Sequence, residues 1–128
     1  MEKEETTKQL IVEILKHEGA ATIVTSDVNG PYVTATWNSY IAQDVNGNFL
    51  IPVGGYHQTE SNINNGSNVI ILIASKQVMG KEGLGAGFRL TGSATFLSEG
   101  TIFKKTKKRF SWIRAVMIIE IDLIEQLQ

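Results

Sequence analysis

The chain has 128 residues and 14.1 kDa, is 42% hydrophobic and 20% charged, and holds twelve Lys and Arg against thirteen Asp and Glu. That length suits one domain over residues 1–128, and a formal net charge of −1 argues against a general nucleic-acid binder. The absence of cysteine excludes disulfides, thiolate nucleophiles and Cys-based metal sites.

The start, Met1-Glu-Lys-Glu-Glu5, is too acidic for a signal or transit peptide. The apolar runs Val69 to Ala74 and Ala115 to Ile119 are too short to span a membrane. Both features predict a cytoplasmic protein with no membrane contact. Leu10, Ile11, Ile14 and Leu15 share one helical face, and Thr6 with Gln9 can form a capping box, which predicts a helix over about 7–17. Ala20 to Thr25, Tyr32 to Trp37 and Phe49 to Val53 read as strands, the intervening Asn-Gly pairs at 29–30 and 46–47 as hairpin turns. Gln58 to Asn64 is predicted to be a short helix capped near Thr59. Val69 to Ala74 is apolar throughout, as in a strand covered on both faces, and the glycine-bearing stretch Lys76 to Ala86 reads as a loop. Phe88, Leu90, Gly92, Ala94 and Phe96 then alternate with polar residues, predicting a long strand with one wet side. Glu99 to Arg109 reads as a helix and Ala115 to Leu123 as a final strand. Six strand-like runs and three helical ones favour an antiparallel barrel with helices at its ends.

Three segments stand out as candidates for chemistry. Thr36-Trp-Asn-Ser-Tyr40 sets hydrogen-bonding groups beside a large aromatic face, which suits a flat, polar-edged ligand; the same residues also suit a core tryptophan followed by a polar turn. Ile51-Pro-Val-Gly-Gly-Tyr-His-Gln-Thr-Glu60 runs from a strand through a glycine pair to a helix start, where backbone N–H groups favour a phosphate; a plain corner is the alternative. Gly83-Leu-Gly-Ala-Gly87 imitates part of a dinucleotide fingerprint but opens a strand, not a helix, so a Rossmann site is rejected. His57 has no carboxylate at readable spacing, and the run Lys104 to Arg109 has no interleaved aromatic stacking pair, so it reads as a solvated helix face. No metal-ligand spacing is present.

Taken in order, Thr36 to Tyr40, Pro52 to Gly55 with His57, Thr59 and Glu60, Gly85 to Phe88, Gly92 to Ala94, and Phe110, Trp112, Arg114, Ala115 and Met117 carry a family likeness. The chain resembles the small bacterial FMN-binding proteins of the pyridoxamine 5′-phosphate oxidase-like split-barrel superfamily. The resemblance implies a mainly β fold, a six-stranded antiparallel split barrel with short helices, and a homodimer holding FMN non-covalently near the subunit interface. It sets Thr36, Trp37 and Asn38 beside the flavin, Val53, Gly54 and Gly55 along the ring or ribityl chain, and Gln58 and Thr59 at the phosphate. Glu18 matches an acidic residue near the cofactor, and Trp112 an aromatic packed close to the ring. Ala35, Gln58 and Gln128 depart from the pattern, which has Asn, Lys and Leu there. Lys76 is the nearest candidate by pattern to replace the missing phosphate charge. The function so implied is electron or hydride transfer at FMN, with a redox partner or small-molecule substrate. The alternative is a flavin-free or promiscuous binding module on the same barrel. Oxidation of pyridoxamine phosphate would need a second phosphate site, and none is visible in the sequence.

Overall fold

The computed structural model describes residues 2–128, with side chains from Glu5 onward. Helix α1 (Glu2–Lys16) leads into the hairpin β1 (Ala20–Asp27) and β2 (Gly30–Trp37), and a single 3₁₀ turn, Asn38–Tyr40, carries the chain to β3 (Ala42–Gln43) and β4 (Phe49–Val53). Helix α2 (His57–Asn64), strands β5 (Val69–Met79) and β6 (Leu84–Leu97), helix α3 (Thr101–Arg109) and strand β7 (Ala115–Gln126) complete it. All pairings are antiparallel, in the order β2-β1-β5-β6-β7-β4-β3. The expected mainly β barrel with short helices is present, and its sheet counts seven strands instead of six. The extra one is β3, two residues long and too short to leave a periodic signature.

Strand alternation builds the core. Ile23, Ile71, Phe88, Leu90, Ile51 and Met117 point inward and are fully buried, and Ile11 and Ile14 of α1 close one end. Each such side chain contributes about 1.5–3 kcal/mol of burial free energy. Along the apolar run of β5, Val69, Ile71 and Ile73 are buried while Ile70 and Leu72 are only partly buried, so this stretch is fully covered on one face and not on both.

Other boundaries move for local reasons. Helix α1 begins at Glu2, because Glu, Lys and Gln propagate a helix well, so Thr6 and Gln9 lie inside it and do not cap it. The stretch expected as a loop, Lys76 to Ala86, is mostly strand: β5 continues to Met79 and β6 starts at Leu84, with an irregular register between Ser75 and Met79. Its glycines mark a distorted turn within a hairpin. Gly92 marks a second irregularity in β6, where a Cβ would collide with the Glu120 carbonyl oxygen of β7. Strand β7 continues past Leu123 to pair Gln126 with Phe88. Among the described residues no helix is long and apolar enough to cross a membrane.

Candidate functional site

The sheet does not close by hydrogen bonds between its two edge strands, β2 and β3. Near the end of β2 the chain faces the end of β4, and a cleft of about 460 Å³ lies there. Its walls are Thr34, Ala35, Thr36 and Trp37 from β2, Tyr40, Pro52, and the Gly54-Gly55-Tyr56 corner with Trp112. Trp37 is 49% exposed and Trp112 53% exposed, large aromatic faces left open to an occupant.

The corner is rigidly held. A Cβ on Gly54 would lie 3.0 Å from Cε3 and 3.2 Å from Cζ3 of Trp112, so the indole rests on bare backbone. At Gly55 a Cβ would meet nothing within 4 Å, leaving the backbone open to a ligand. Arg114 donates to the Gly55 carbonyl from Nη2 at 2.7 Å and from Nε at 3.2 Å, and its Nη2 also pairs with Glu60 at 2.7 Å. That ion pair offsets the carboxylate in the first turn of α2. Tyr56 precedes α2 in the left-handed region at φ 59°, and no side chain caps the helix. The first-turn N–H groups are thus available to an anion. The Tyr56 hydroxyl donates to the Ala35 carbonyl at 2.7 Å, and burial pushes its pKa above the usual phenol range, with a bond to Thr36 opposing, so it stays a neutral donor.

Of the residues singled out in the sequence, Thr36, Trp37, Gly54, Gly55 and Trp112 meet in this cleft. The others lie elsewhere. Asn38 is fully buried, with Nδ2 3.1 Å from the His17 carbonyl, 3.2 Å from that of Ala74 and 3.5 Å from that of Ile14, tying α1 and β5 to the 3₁₀ turn. Val53 is in the core, and Thr59 is fully buried inside the first turn of α2, not at its cap. The Asn38 Oδ1 and Thr59 Oγ1 atoms have no hydrogen-bond partner among the described residues. Gln58 Nε2 donates to Asn62 Oδ1 at 2.8 Å, and Asn62 Nδ2 in turn to Thr25 Oγ1 at 3.1 Å, a chain that fastens α2 to β1. Glu18 is exposed and accepts the Ser39 hydroxyl at 2.8 Å, which lowers its pKa. Lys76 is exposed on β5, not at a strand end, and does not line the cleft. Among the described residues no group of three or more His, Asp or Glu side chains is placed to hold a metal.

Tyr40 and Tyr56 contribute walls of the cleft, although the sequence reading named them only within their segments and gave neither a role. Their signal was position: one aromatic ends the turn after a strand, the other follows a glycine pair. Tyr40, Phe110 and Trp112 form one aromatic cluster, with ring centroids 4.9 Å, 6.1 Å and 5.7 Å apart.

Residues 7–125 match the family model described as pyridoxamine 5′-phosphate oxidase. An FMN-binding protein of Nitratidesulfovibrio vulgaris is 39% identical over 114 residues, covering 89% of this chain and 93% of that protein. Two solved structures share the fold. An FMN-binding protein from Syntrophomonas wolfei subsp. wolfei has a TM-score of 0.71 at 17% identity, over 99% of this chain and 92% of that one. HupZ from Group A Streptococcus has a TM-score of 0.70 at 24% identity, over 97% and 93%.

Proposed function

The chain belongs to the pyridoxamine 5′-phosphate oxidase family, and from that premise we propose that it is an FMN-binding flavoprotein acting in electron or hydride transfer. The observation that carries the reading is one cleft, walled by Trp37 and Trp112, floored by Gly54 and Gly55, and ending at the uncapped start of α2. Its donor set fits the cofactor part by part. Aromatic faces suit the flat ring, the Thr34 and Thr36 hydroxyls suit a ribityl chain, and helix-start N–H groups suit a phosphate. When bound, FMN supplies the redox chemistry, and the protein sets affinity and access. Arg114 positions the glycine corner, while Tyr56 holds β2 against it as a neutral donor. The exposed faces of Trp37 and Trp112 leave an approach for a redox partner or small-molecule substrate.

A homodimer is part of the same proposal. Val33, Val24, Ile70, Thr91 and Leu123 lie in one row across five paired strands on the outer face of the sheet. Val33 is 59% and Leu123 52% exposed, and Ala35 of the adjacent row lines the cleft. Pairing two such faces would cover the row and bring a second subunit to the rim of the cleft.

The purified protein is expected to show flavin absorption and to release FMN on denaturation. Colourless protein that takes up no added FMN at micromolar concentration would overturn the reading and favour a flavin-free binding module. One observation favours that second reading: the Gln58 side chain is neutral and committed to Asn62 where the family pattern has lysine, and the nearby Arg114 is paired with Glu60.

A further inference from the structure

Helix α3 buries none of its residues. It nevertheless carries five of the chain's twelve Lys and Arg and none of its thirteen Asp and Glu, leaving seven against thirteen elsewhere. Lys105, Lys108 and Arg109 stand at i, i+3 and i+4, one face of one helical turn, where like charges repel. None of the three is in an ion pair among the described residues. Basic residues at a helix end favour the helix dipole, but that accounts for their position along the axis and not for their gathering on one face.

That face overlooks a groove of about 740 Å³ between α3 and the β3–β4 hairpin. Ala42, Leu50, Ile102 and Phe110 give it an apolar floor, and the three cations line its α3 side. Arg109 is preorganised: its Nη2 donates to the Ser39 carbonyl at 2.8 Å and its guanidinium lies 4.7 Å from the Phe110 ring centroid. The one acidic residue lining the groove, Asp44, has its carboxylate bound by Asn46 and Asn48 within its own turn. It stands on the hairpin side, so an anion is directed towards α3. The volume and the mixture of apolar floor and few convergent charges match those of small-molecule sites.

We propose that this groove is a second ligand site, separate from the cleft, that takes an amphipathic organic anion. The apolar body lies on the floor beside Leu50 and Ile102, and the carboxylate or phosphate group meets Lys105, Lys108 and Arg109. The charge match selects an anion, and the apolar floor of the groove selects a small molecule over a polyanion that would need only the outer surface of the helix. Tyr40 lines both the groove and the cleft and packs against Trp112, so occupancy of one site is felt at the other.

The test is calorimetric titration of the purified protein with decanoate below its micellar concentration and with decyltrimethylammonium, which has the same chain and the opposite charge. Decanoate is expected to bind at least about tenfold more tightly than the cation, and to shift tryptophan emission. Joint Lys105→Ala and Lys108→Ala substitution, on an exposed surface, is expected to weaken decanoate about tenfold or more with an unchanged melting temperature. Ala42→Trp, which fills the floor from an exposed edge strand and keeps every cation, is expected to abolish binding. Equal binding of the two chains overturns the proposal, as does unchanged decanoate affinity in both variants. Binding of phosphatidylglycerol vesicles without binding of decanoate would also overturn it and assign α3 to a lipid surface.

Discussion

The indole of Trp112 lies against the bare backbone of Gly54, close enough that one methyl group must displace it. Gly54 has no positive φ, so Gly54→Ala tests packing and not backbone strain. Overpacking costs about 1–3 kcal/mol in a closed core; here the half-exposed ring can swing outward. The expected outcome is a small change in melting temperature and a weakened flavin affinity, measured by fluorescence titration. Asn38→Ala acts differently, because it strips the donor from carbonyls of α1 and β5 inside the protein. Buried groups left unsatisfied cost about 1–3 kcal/mol each. Chemical denaturation is expected to show a loss of at least about 2 kcal/mol, and an unchanged midpoint would deny the tie. At Glu18 the Ser39 hydroxyl stabilises the carboxylate and lowers its pKa. A depressed folded-state pKa gives stability that is present above the unfolded value and is lost as pH falls through the folded one. Ser39→Ala is therefore expected to melt below the wild type at neutral pH, with the two curves converging in acid.

Helix α2 shows what an element can and cannot do without its family's lysine. Gln58 can donate only a neutral hydrogen bond, and it already spends one on Asn62. Gln58→Lys is expected to tighten FMN about 5- to 30-fold, the difference of about 1–2 kcal/mol between charged and neutral donors, while riboflavin affinity barely changes. Equal shifts for both ligands would move the phosphate away from this helix. The existence of α2 was legible in the sequence, but its cap was not. Thr59 is a good capping residue by type, yet Tyr56 starts the helix from a left-handed conformation, with no side-chain cap. The same limit applies across the site. Thr36, Trp37, Gly54 and Gly55 were legible because they lie in two segments that set aromatic, hydroxyl and bare-backbone groups side by side, whereas Trp112 was legible only through the family resemblance. Asn38, Val53 and Thr59 turned inward because alternation along a strand and rotation around a helix assign faces that a motif match does not read. In β5 and β6, glycines that suggested a loop instead bend a continuing pair of strands.

At the scale of the molecule, the outer row from Val33 to Leu123 is the feature that a single chain leaves unsatisfied. Placing Asp at both Val33 and Leu123 puts charge on that face without touching the core. Light scattering is expected to give a dimer for the wild type and a monomer for the double variant at micromolar concentration, with weaker FMN binding in the monomer. A wild-type monomer in the presence of FMN would remove the dimer from the reading. The strand order also has a consequence in time. The hairpins β1–β2 and β5–β6 join near neighbours in the chain, but β1 must find β5, Thr22 against Leu72, and β4 must find β7, Phe49 against Ile119. Closing such long loops loses entropy before any contact repays it, so these seams form late and set the pace of folding. The cleft depends on the last of them: Gly54 and Gly55 take their place only once β4 has docked on a strand from the far end of the chain.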